Sequence, residues 1–299
     1  MNPREIVDGL FGELTSEIPA IVTAAVGQWP EVAALIVERA IADAAEKQRL
    51  GTSRIDNVGH MLALEIFGHQ RDPSTWPAVH ALCTMSADVA EYHLSGLAMT
   101  SLGQIIYRTS AGQLELMAGI LGNPSVHPQI REAALEGLQY ALADGAIERQ
   151  AFLDLTVAML ADPALDDAGQ LPLVLQDAVL ELRPHEYAAE LRALAATQAD
   201  DSQSPASLEE LLREDSEFVE GRLLRRRNAR ESYEPEDVFE RMSTWLPMDD
   251  TAWLDEVAQG RGSAVQPGPA RKVSKADRAQ RKRKQQIADK ARKANRKRK

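Results

Sequence analysis

The C-terminal end of the chain, KADRAQRKRKQQIADKARKANRKRK, carries the side chains best suited to binding a polyanion. From Pro269 onward there are 15 Lys and Arg residues and two acidic residues, a local balance of +13. The whole chain has a formal net charge of -11, so the preceding 268 residues carry -24. Basic side chains bind phosphate backbones, whereas an acidic surface repels them. We therefore expect nucleic acid to contact the tail, residues 271–299, through Arg271, Lys272, Lys275, Arg278, Arg281, Lys282, Arg283, Lys284, Lys290, Arg292, Lys293, Arg296, Lys297, Arg298 and Lys299.

The composition of the tail indicates how it binds. It has no aromatic residue, which argues against base stacking and against sequence-specific readout of single strands. Its Ala, Gln, Lys and Arg residues favour helix, but repulsion between like charges keeps such a segment disordered when free. The sequence predicts a disordered tail that folds on a phosphate backbone. The alternative is a solubilising extension without a specific ligand.

Motif searches favour a protein that is not an enzyme and has no cofactor. HEYAA at His185 has Ala189 where a helical zinc-protease motif requires a second His. HLSGL around Ser95 has His93 in place of the first glycine of a nucleophile elbow. There is no Walker-type phosphate loop and no GxGxxG. An enzyme with a site in a groove of the fold stays open as a third class.

Four histidines fall close together in the chain: His60, His69, His80 and His93. Their spacings of 9, 11 and 13 put no two on adjacent turns of one helix. Hydrogen-bonded structural histidines are the favoured interpretation, and a metal site or pH sensor is the alternative.

The remaining candidates favour packing roles. Cys83 is the only cysteine, so neither an intrachain disulfide nor a thiolate cluster for zinc is possible, and its apolar setting AVHALCTM indicates a buried, inert thiol. Trp76, Tyr92 and Tyr107 could line a binding groove, but inter-helix packing is the favoured interpretation.

A second basic cluster, RRRNAR, spans Arg225 to Arg230. Glu220, Glu231 and Glu234 are close enough in sequence to offset it. We therefore expect a solvated, salt-bridged helix face, with a phosphate contact as the secondary alternative.

The elements that must position these residues are helices, because apolar residues recur at three- and four-residue steps almost throughout. Corresponding helix pairs start near Asn57, His93, Pro128 and Gln170, which gives steps of 36, 35 and 42 residues. Such a period is typical of stacked two-helix repeats.

The third pair contains IREAALEGL, which resembles the HEAT repeat. The period and the apolar stripe of Ala134, Leu138 and Leu142 predict an all-α fold, a right-handed stack of helix pairs from about Pro3 to Ala196 with Leu138 buried between helices. The resemblance implies that this stack is an α-solenoid of HEAT-like pairs. The segment HMLALEIFGHQRDPSTWPAVHAL resembles an uncharacterised bacterial family of HEAT-like proteins, many of which end in a SEC-C zinc motif. This chain has only Cys83, so no metal site is transferred to it.

We divide the chain into three parts. Residues 1–200 are the predicted solenoid, 201–258 an additional helical segment that starts with capping-box spacing at Ser207 and Glu210, and 259–299 a flexible linker and the basic tail. Charges in the first 13 residues interrupt any signal-peptide core, and no apolar run reaches the roughly 20 residues of a membrane span. We expect a soluble, cytoplasmic protein.

Two functional hypotheses follow. The first is a non-enzymatic adaptor whose acidic solenoid binds a protein partner in its groove, while the tail tethers it to RNA, DNA or a ribonucleoprotein such as the ribosome. The second is a purely protein-binding scaffold whose tail contacts its own acidic body or an acidic partner. Partner identity, nucleic-acid type, biological process and oligomeric state stay open.

Overall fold

The computed structural model describes residues 1–12, 17–51, 58–98, 100–162, 170–197, 205–213, 215–233 and 238. The chain divides into two compact units, Met1–Trp253 and Leu254–Lys299, and every described residue lies in the first. The predicted disordered tail therefore lies outside the described residues. The predicted boundary near residue 200 falls inside the first unit.

The described part of the chain contains α-helices and short 3-10 turns and no strand, which confirms the all-α prediction there. The helices are α1 Pro3–Leu10, α2 Ile18–Gly27, α3 Trp29–Leu50, α4 Gly59–Gln70, α5 Trp76–Cys83, α6 Ala87–Ala98, α7 Leu102–Thr109, α8 Leu114–Leu121, α9 Pro128–Ala143, α10 Arg149–Leu160, α11 Gln170–Leu180, α12 Ala188–Thr197, α13 Pro205–Leu211 and α14 Ser216–Tyr233. Two 3-10 turns, Pro73–Thr75 and His185–Tyr187, lead into α5 and α12.

Helix α1 was not among the predicted helix pairs, although its start has a clear sequence signal. Asn2 is the N-cap, and its side-chain oxygen accepts a hydrogen bond from the backbone N–H of Glu5 at 3.0 Å. The Glu5 carboxylate accepts one in return from the N–H of Asn2 at 2.8 Å. This reciprocal pair is a capping box, and Pro3 occupies the first turn, where a missing N–H costs nothing.

The second predicted pair was placed incorrectly. Its first helix was expected to start near His93 and to continue to Arg108, but the structure has α6 starting at Ala87 and α7 starting at Leu102. The break contains hydroxyl side chains that bond to the preceding turn, since Thr100 Oγ1 donates to the carbonyl of Gly96 at 3.0 Å. Thr156 makes the same kind of bond to Phe152 inside α10, which continues past it, so this bond does not by itself end the helix.

The region after residue 200 also differs from the prediction. Ser207 was expected to cap a helix, but α13 begins at Pro205, so Ser207 lies inside its first turn. A second helix start follows at α14, where Asp215 Oδ1 accepts a hydrogen bond from the N–H of Phe218 at 2.8 Å. The capping chemistry is thus present, but it belongs to Asp215.

One continuous apolar core runs through the described helices, from Ile6 in α1 to Val219 in α14. Leu138 in α9 is fully buried, as expected from the apolar stripe of that helix. Helix α9 contacts α7, α8, α10, α11 and α14, and α7 contacts α4, α5 and α6. Helix α9 therefore lies at the centre of the packed helices.

The contact between α7 and α9 is close because each helix has a glycine at it. A Cβ atom added to Gly103 in α7 would lie 3.0 Å from the carbonyl oxygen of Ala133, and one added to Gly137 in α9 would lie 3.0 Å from the carbonyl oxygen of Gly103. Two backbones can approach this closely only where neither residue has a side chain.

Several polar links between helices join residues that are about one sequence period apart. Ser101 donates to Glu65 across 36 positions, and Tyr107 donates to Asp144 across 37. Gln150 donates to the hydroxyl of Tyr187, also across 37 positions. Other links have different separations, such as 33 positions between His60 and His93 and 43 between Trp29 and Asp72.

The described helices can be compared with a membrane span by length and apolar character. No single helix there is both long and apolar enough to cross a bilayer, and α2 and α3 meet that test only together, across a bend of 116°.

The core position of Leu138 gives a stability prediction. We expect Leu138→Ala to lower the free energy of unfolding by about 2 to 5 kcal/mol, because the change leaves a cavity among closely packed helices. Leu224→Ala in α14 is the matched control, since Leu224 is 54% exposed. Urea unfolding followed by circular dichroism measures both, and equal stability of the two variants would show that the core face of α9 is misplaced.

Candidate functional site

The fifteen basic residues predicted to bind nucleic acid, Arg271 to Lys299, lie outside the described residues. Three other features of the described body can be compared with the sequence predictions. They are a buried polar cluster on α3, α4 and α6, the arginine face of α14, and a groove between α10 and α12.

The polar cluster is formed by Asp43 and Lys47 of α3, His60 of α4 and His93 of α6, all of which are buried. Lys47 Nζ lies 3.3 Å from Asp43 Oδ2. His60 Nε2 donates to the backbone carbonyl of His93 at 3.1 Å, and the two imidazole rings meet edge to face with centroids 5.4 Å apart. The structure thus brings two of the four sequence-adjacent histidines together.

Burial shifts the pKa values of the ionisable groups in the cluster. It lowers the pKa of His60 to about 3, an effect to which the positive charge of Lys47 adds. It also lowers the pKa of His93 to about 4 and raises the pKa of Asp43, although Lys47 opposes the latter change. Because a carbonyl only accepts, the proton of neutral His60 sits on Nε2, and the lone pair of Nδ1 faces Asp43 Oδ2 at 3.7 Å.

This arrangement fits a structural polar cluster better than a reactive one. Among the described residues no three His, Cys, Asp or Glu side chains are placed to hold a metal ion. His80 is exposed and His69 is half-buried. Cys83 is fully buried, which raises the pKa of its thiol to about 12 and keeps it protonated at neutral pH.

The aromatic candidates divide by exposure. Trp76 and Tyr107 pack against the core, whereas Tyr92 is 43% exposed beside the ring of His93. The hydroxyl of Tyr107 donates to Asp144 Oδ2 at 2.6 Å. Two of these residues therefore stabilise helix packing.

The arginines of α14 have partners that the sequence did not indicate. Arg222 and Arg226 bind the carboxylate of Glu181 at the end of α11, at 2.8 Å and 3.1 Å. Arg227 Nε donates to the carbonyl of Ala143 at the end of α9, at 2.9 Å. These partners lie about 40 and 80 positions earlier in the chain. Glu234 lies outside the described residues, and the offset by Glu220, Glu231 and Glu234 stays a prediction.

A groove of about 580 Å³ lies between α10 and α12. Its apolar surface comes from both helices, and acidic side chains lie along it: the lining residues are Asp154, Val157, Ala158, Ala161, Tyr187, Glu190, Ala193 and Leu194. Hydrogen bonds from Tyr187 and Gln150 lower the pKa of Asp154, so that this carboxylate stays ionised. The groove therefore combines an apolar floor with negative charge.

Sequence reasoning missed this groove, although a signal was present. Asp154, Val157, Ala158 and Ala161 follow the i, i+3, i+4, i+7 spacing of one helix face in the segment DLTVAMLA. The pattern cannot tell an exposed stripe from a buried one, because burial depends on which helix packs beside it.

The described fold is an all-α body that offers an apolar, acidic groove. In class it is a helical protein over the residues that the structure describes. The chain belongs to the family described as "Protein of unknown function (DUF1186)", whose profile matches residues 18–247 and so spans α2 to α14. No curated protein and no solved structure matches the chain. The expectation of an uncharacterised family is confirmed, and its relation to HEAT repeats and to SEC-C proteins stays a prediction.

The lowered pKa of His60 gives a prediction about acid stability. Below a pH of about 6.5 the unfolded chain takes up a proton at this residue that the folded chain does not. The free energy of unfolding therefore falls as the pH drops from about 6.5 towards 3, with a slope that approaches about 1.4 kcal/mol per pH unit from this residue.

We expect His60→Gln to reduce this slope, because the amide can still donate to the carbonyl of His93 but does not titrate. Urea unfolding between pH 7 and pH 4 measures it, and His80→Gln, at an exposed position, is the control. Parallel pH profiles of His60→Gln and the wild type would contradict the assignment.

Proposed function

We propose that the body is a right-handed α-solenoid of HEAT-like helix pairs. Two observations support this arrangement. Three of the inter-helix hydrogen bonds join residues 36 or 37 positions apart, close to the sequence period. Alternate helices also contact each other along the series α3, α5, α7, α9 and α11.

We propose that the protein is a non-enzymatic adaptor, whose acidic body binds a protein partner and whose tail tethers it to nucleic acid or a ribonucleoprotein. The observation that carries this proposal is the charge separation, +13 in residues 269–299 against -24 in the rest of the chain. A phosphate backbone is attracted by the first segment and repelled by the second. The two parts of the chain therefore suit different partners.

The groove between α10 and α12 suits a basic amphipathic helix as the protein ligand. Ala158, Ala161 and Leu194 offer apolar surface of the kind that accepts the apolar face of a helix. Asp154 and Glu190 beside them favour Lys and Arg at the edges of that face. Small side chains such as Ala158 and Ala193 allow a helix backbone to approach closely.

A specific observation also favours the second candidate, a scaffold whose tail contacts its own acidic body. Arginines of α14 already bind the acidic side chain of Glu181 in the same chain. The tail has the same chemistry and a higher density of charge. In this alternative no nucleic acid is involved.

The tether makes a quantitative prediction. If about six basic side chains of the tail contact duplex phosphates, the logarithm of the association constant should fall with the logarithm of salt concentration with a slope of about -5. Fluorescence anisotropy with labelled RNA and DNA duplexes of unrelated sequences measures this slope. Little sequence preference is expected.

Deleting residues 271–299 should abolish this binding and leave the melting temperature almost unchanged, because a disordered tail adds few native contacts. The fold-back alternative expects the opposite result. Deletion would then lower the melting temperature at low salt, and the intact protein would bind duplexes no better than the truncated one. Failure of the intact protein to bind RNA or DNA at low salt rejects the tether.

The groove makes a separate prediction. An environment-sensitive fluorophore attached to Cys at Ala158→Cys should report binding of a Leu/Lys amphipathic peptide of about 18 residues, but not of its Leu/Glu counterpart. Cys83 is buried and should not react. The same fluorophore at Ile41→Cys, an exposed position on α3, is the control.

Adding Ala193→Lys to the labelled protein should weaken binding of the Leu/Lys peptide roughly tenfold, because a positive charge in the acidic groove would repel the Lys side chains of the peptide. Equal responses to the two peptides, or equal responses at the two labelling positions, would reject the groove as the binding site.

A further inference from the structure

Helix α14 contacts the rest of the body with few apolar side chains. Among its described side chains Val219 alone is buried, Leu223 is partly buried against the core, and Leu224 is 54% exposed. Phe218 is partly buried, and the guanidinium carbon of Arg183 lies 4.2 Å from its ring centroid. Apolar burial is what normally fixes a helix on a protein core, so α14 depends on other interactions.

Those interactions are ionic and centre on Glu181. Both carboxylate oxygens of Glu181 accept from arginines one turn apart, Arg222 and Arg226. Arg226 also donates to the side chain of Gln139 in α9 at 2.7 Å. One carboxylate on the body thus holds two successive turns of α14.

A third arginine fastens the helix at the end of α9. Arg227 donates to the carbonyl of Ala143, and its Nε lies 3.8 Å from a carboxylate oxygen of Asp144. A guanidinium group suits this position, because the last carbonyls of a helix carry partial negative charge.

These contacts are accessible to solvent. The exposed fractions of the Arg222, Arg226 and Arg227 side chains are 42%, 29% and 45%. Exposed ion pairs each contribute little to stability, and salt screens them. A phosphate backbone offers arginine bidentate oxygen pairs at a much higher charge density than one carboxylate.

We infer that α14 is a releasable strap, held on Glu181, Gln139 and Ala143 by its inner arginines, and that a nucleic-acid backbone opens it by taking Arg222, Arg226 and Arg227. Arg225 is exposed and has no partner among the described residues, so it offers the first contact. When the strap opens, α14 becomes a second phosphate-binding element in addition to the tail. This inference rests on the proposed nucleic-acid tether, because the same ligand must be present.

The test compares two variants of the full chain that remove one negative charge each. Glu181→Gln loses the carboxylate that holds α14, whereas Glu190→Gln loses an exposed carboxylate of α12 that lines the groove. The probe is a 12-base-pair RNA duplex at 50 mM NaCl. We expect Glu181→Gln to bind it at least threefold more tightly than Glu190→Gln, since its arginines no longer need to leave Glu181.

Adding Arg222→Gln and Arg226→Gln to Glu181→Gln should abolish that gain, which shows that the released arginines make the new contacts. Equal affinities of Glu181→Gln and Glu190→Gln, in a protein that does bind the duplex, overturn the strap and leave the tether intact. Absence of duplex binding by the wild-type chain is instead the failure of the tether. Thermal melting of each variant confirms that it is folded.

Hydrogen exchange provides a readout that needs no ligand. Raising NaCl from 0.05 M to 0.5 M should accelerate exchange in α14 at least tenfold and leave α9 unchanged, because salt screens the ion pairs of α14, whereas buried apolar side chains hold α9. Salt-independent exchange in α14 overturns the strap, since the helix would then be fixed by apolar packing.

Discussion

The close packing of α9 against α7 is the contact on which the rest of the body depends. It requires Gly103 and Gly137, because a side chain at either position would meet backbone carbonyl oxygen at 3.0 Å. Helix α9 then contacts α8, α10, α11 and α14 as well. Its buried Arg131 donates from Nε to the carbonyl of Leu121 at 2.8 Å, which ties the end of α8 to the same helix. Helices α10 and α14, which carry the groove and the arginine face, both contact α9.

Polar groups inside the body are arranged for specificity. Ser101 donates to the buried Glu65 at 2.6 Å, and His60 donates to the carbonyl of His93. Burying such groups costs free energy unless each has a partner, so a shifted helix register would leave them unpaired. The same burial leaves His60 neutral and Cys83 protonated, and it removes both from contact with solutes. The groove between α10 and α12 and the arginines of α14 are instead accessible to solvent.

Charge divides the chain in two ways. Residues 269–299 carry net positive charge, whereas the rest of the sequence carries net negative charge. Within the body, the positive arginines of α14 lie beside the negative side chains of Glu181 and Asp144. The arginines of α14 thus form ion pairs with carboxylates of the same body, and these pairs offset the basic cluster. Such contacts hold a helix in place but respond to salt and to competing anions.

The sequence by itself determined the helical class, most helix positions and the burial of Leu138, because apolar periodicity and proline positions act over a few residues. Only the tertiary structure decided that the stretch from His93 to Arg108 is divided between two helices, that His60 and His93 meet whereas His69 and His80 do not, and that the partner of Arg226 is Glu181. The tertiary structure also decided that Ala158 and Ala161 of α10 are exposed. Each of these features depends on which distant helix packs beside a residue, and local pattern contains no information about that neighbour.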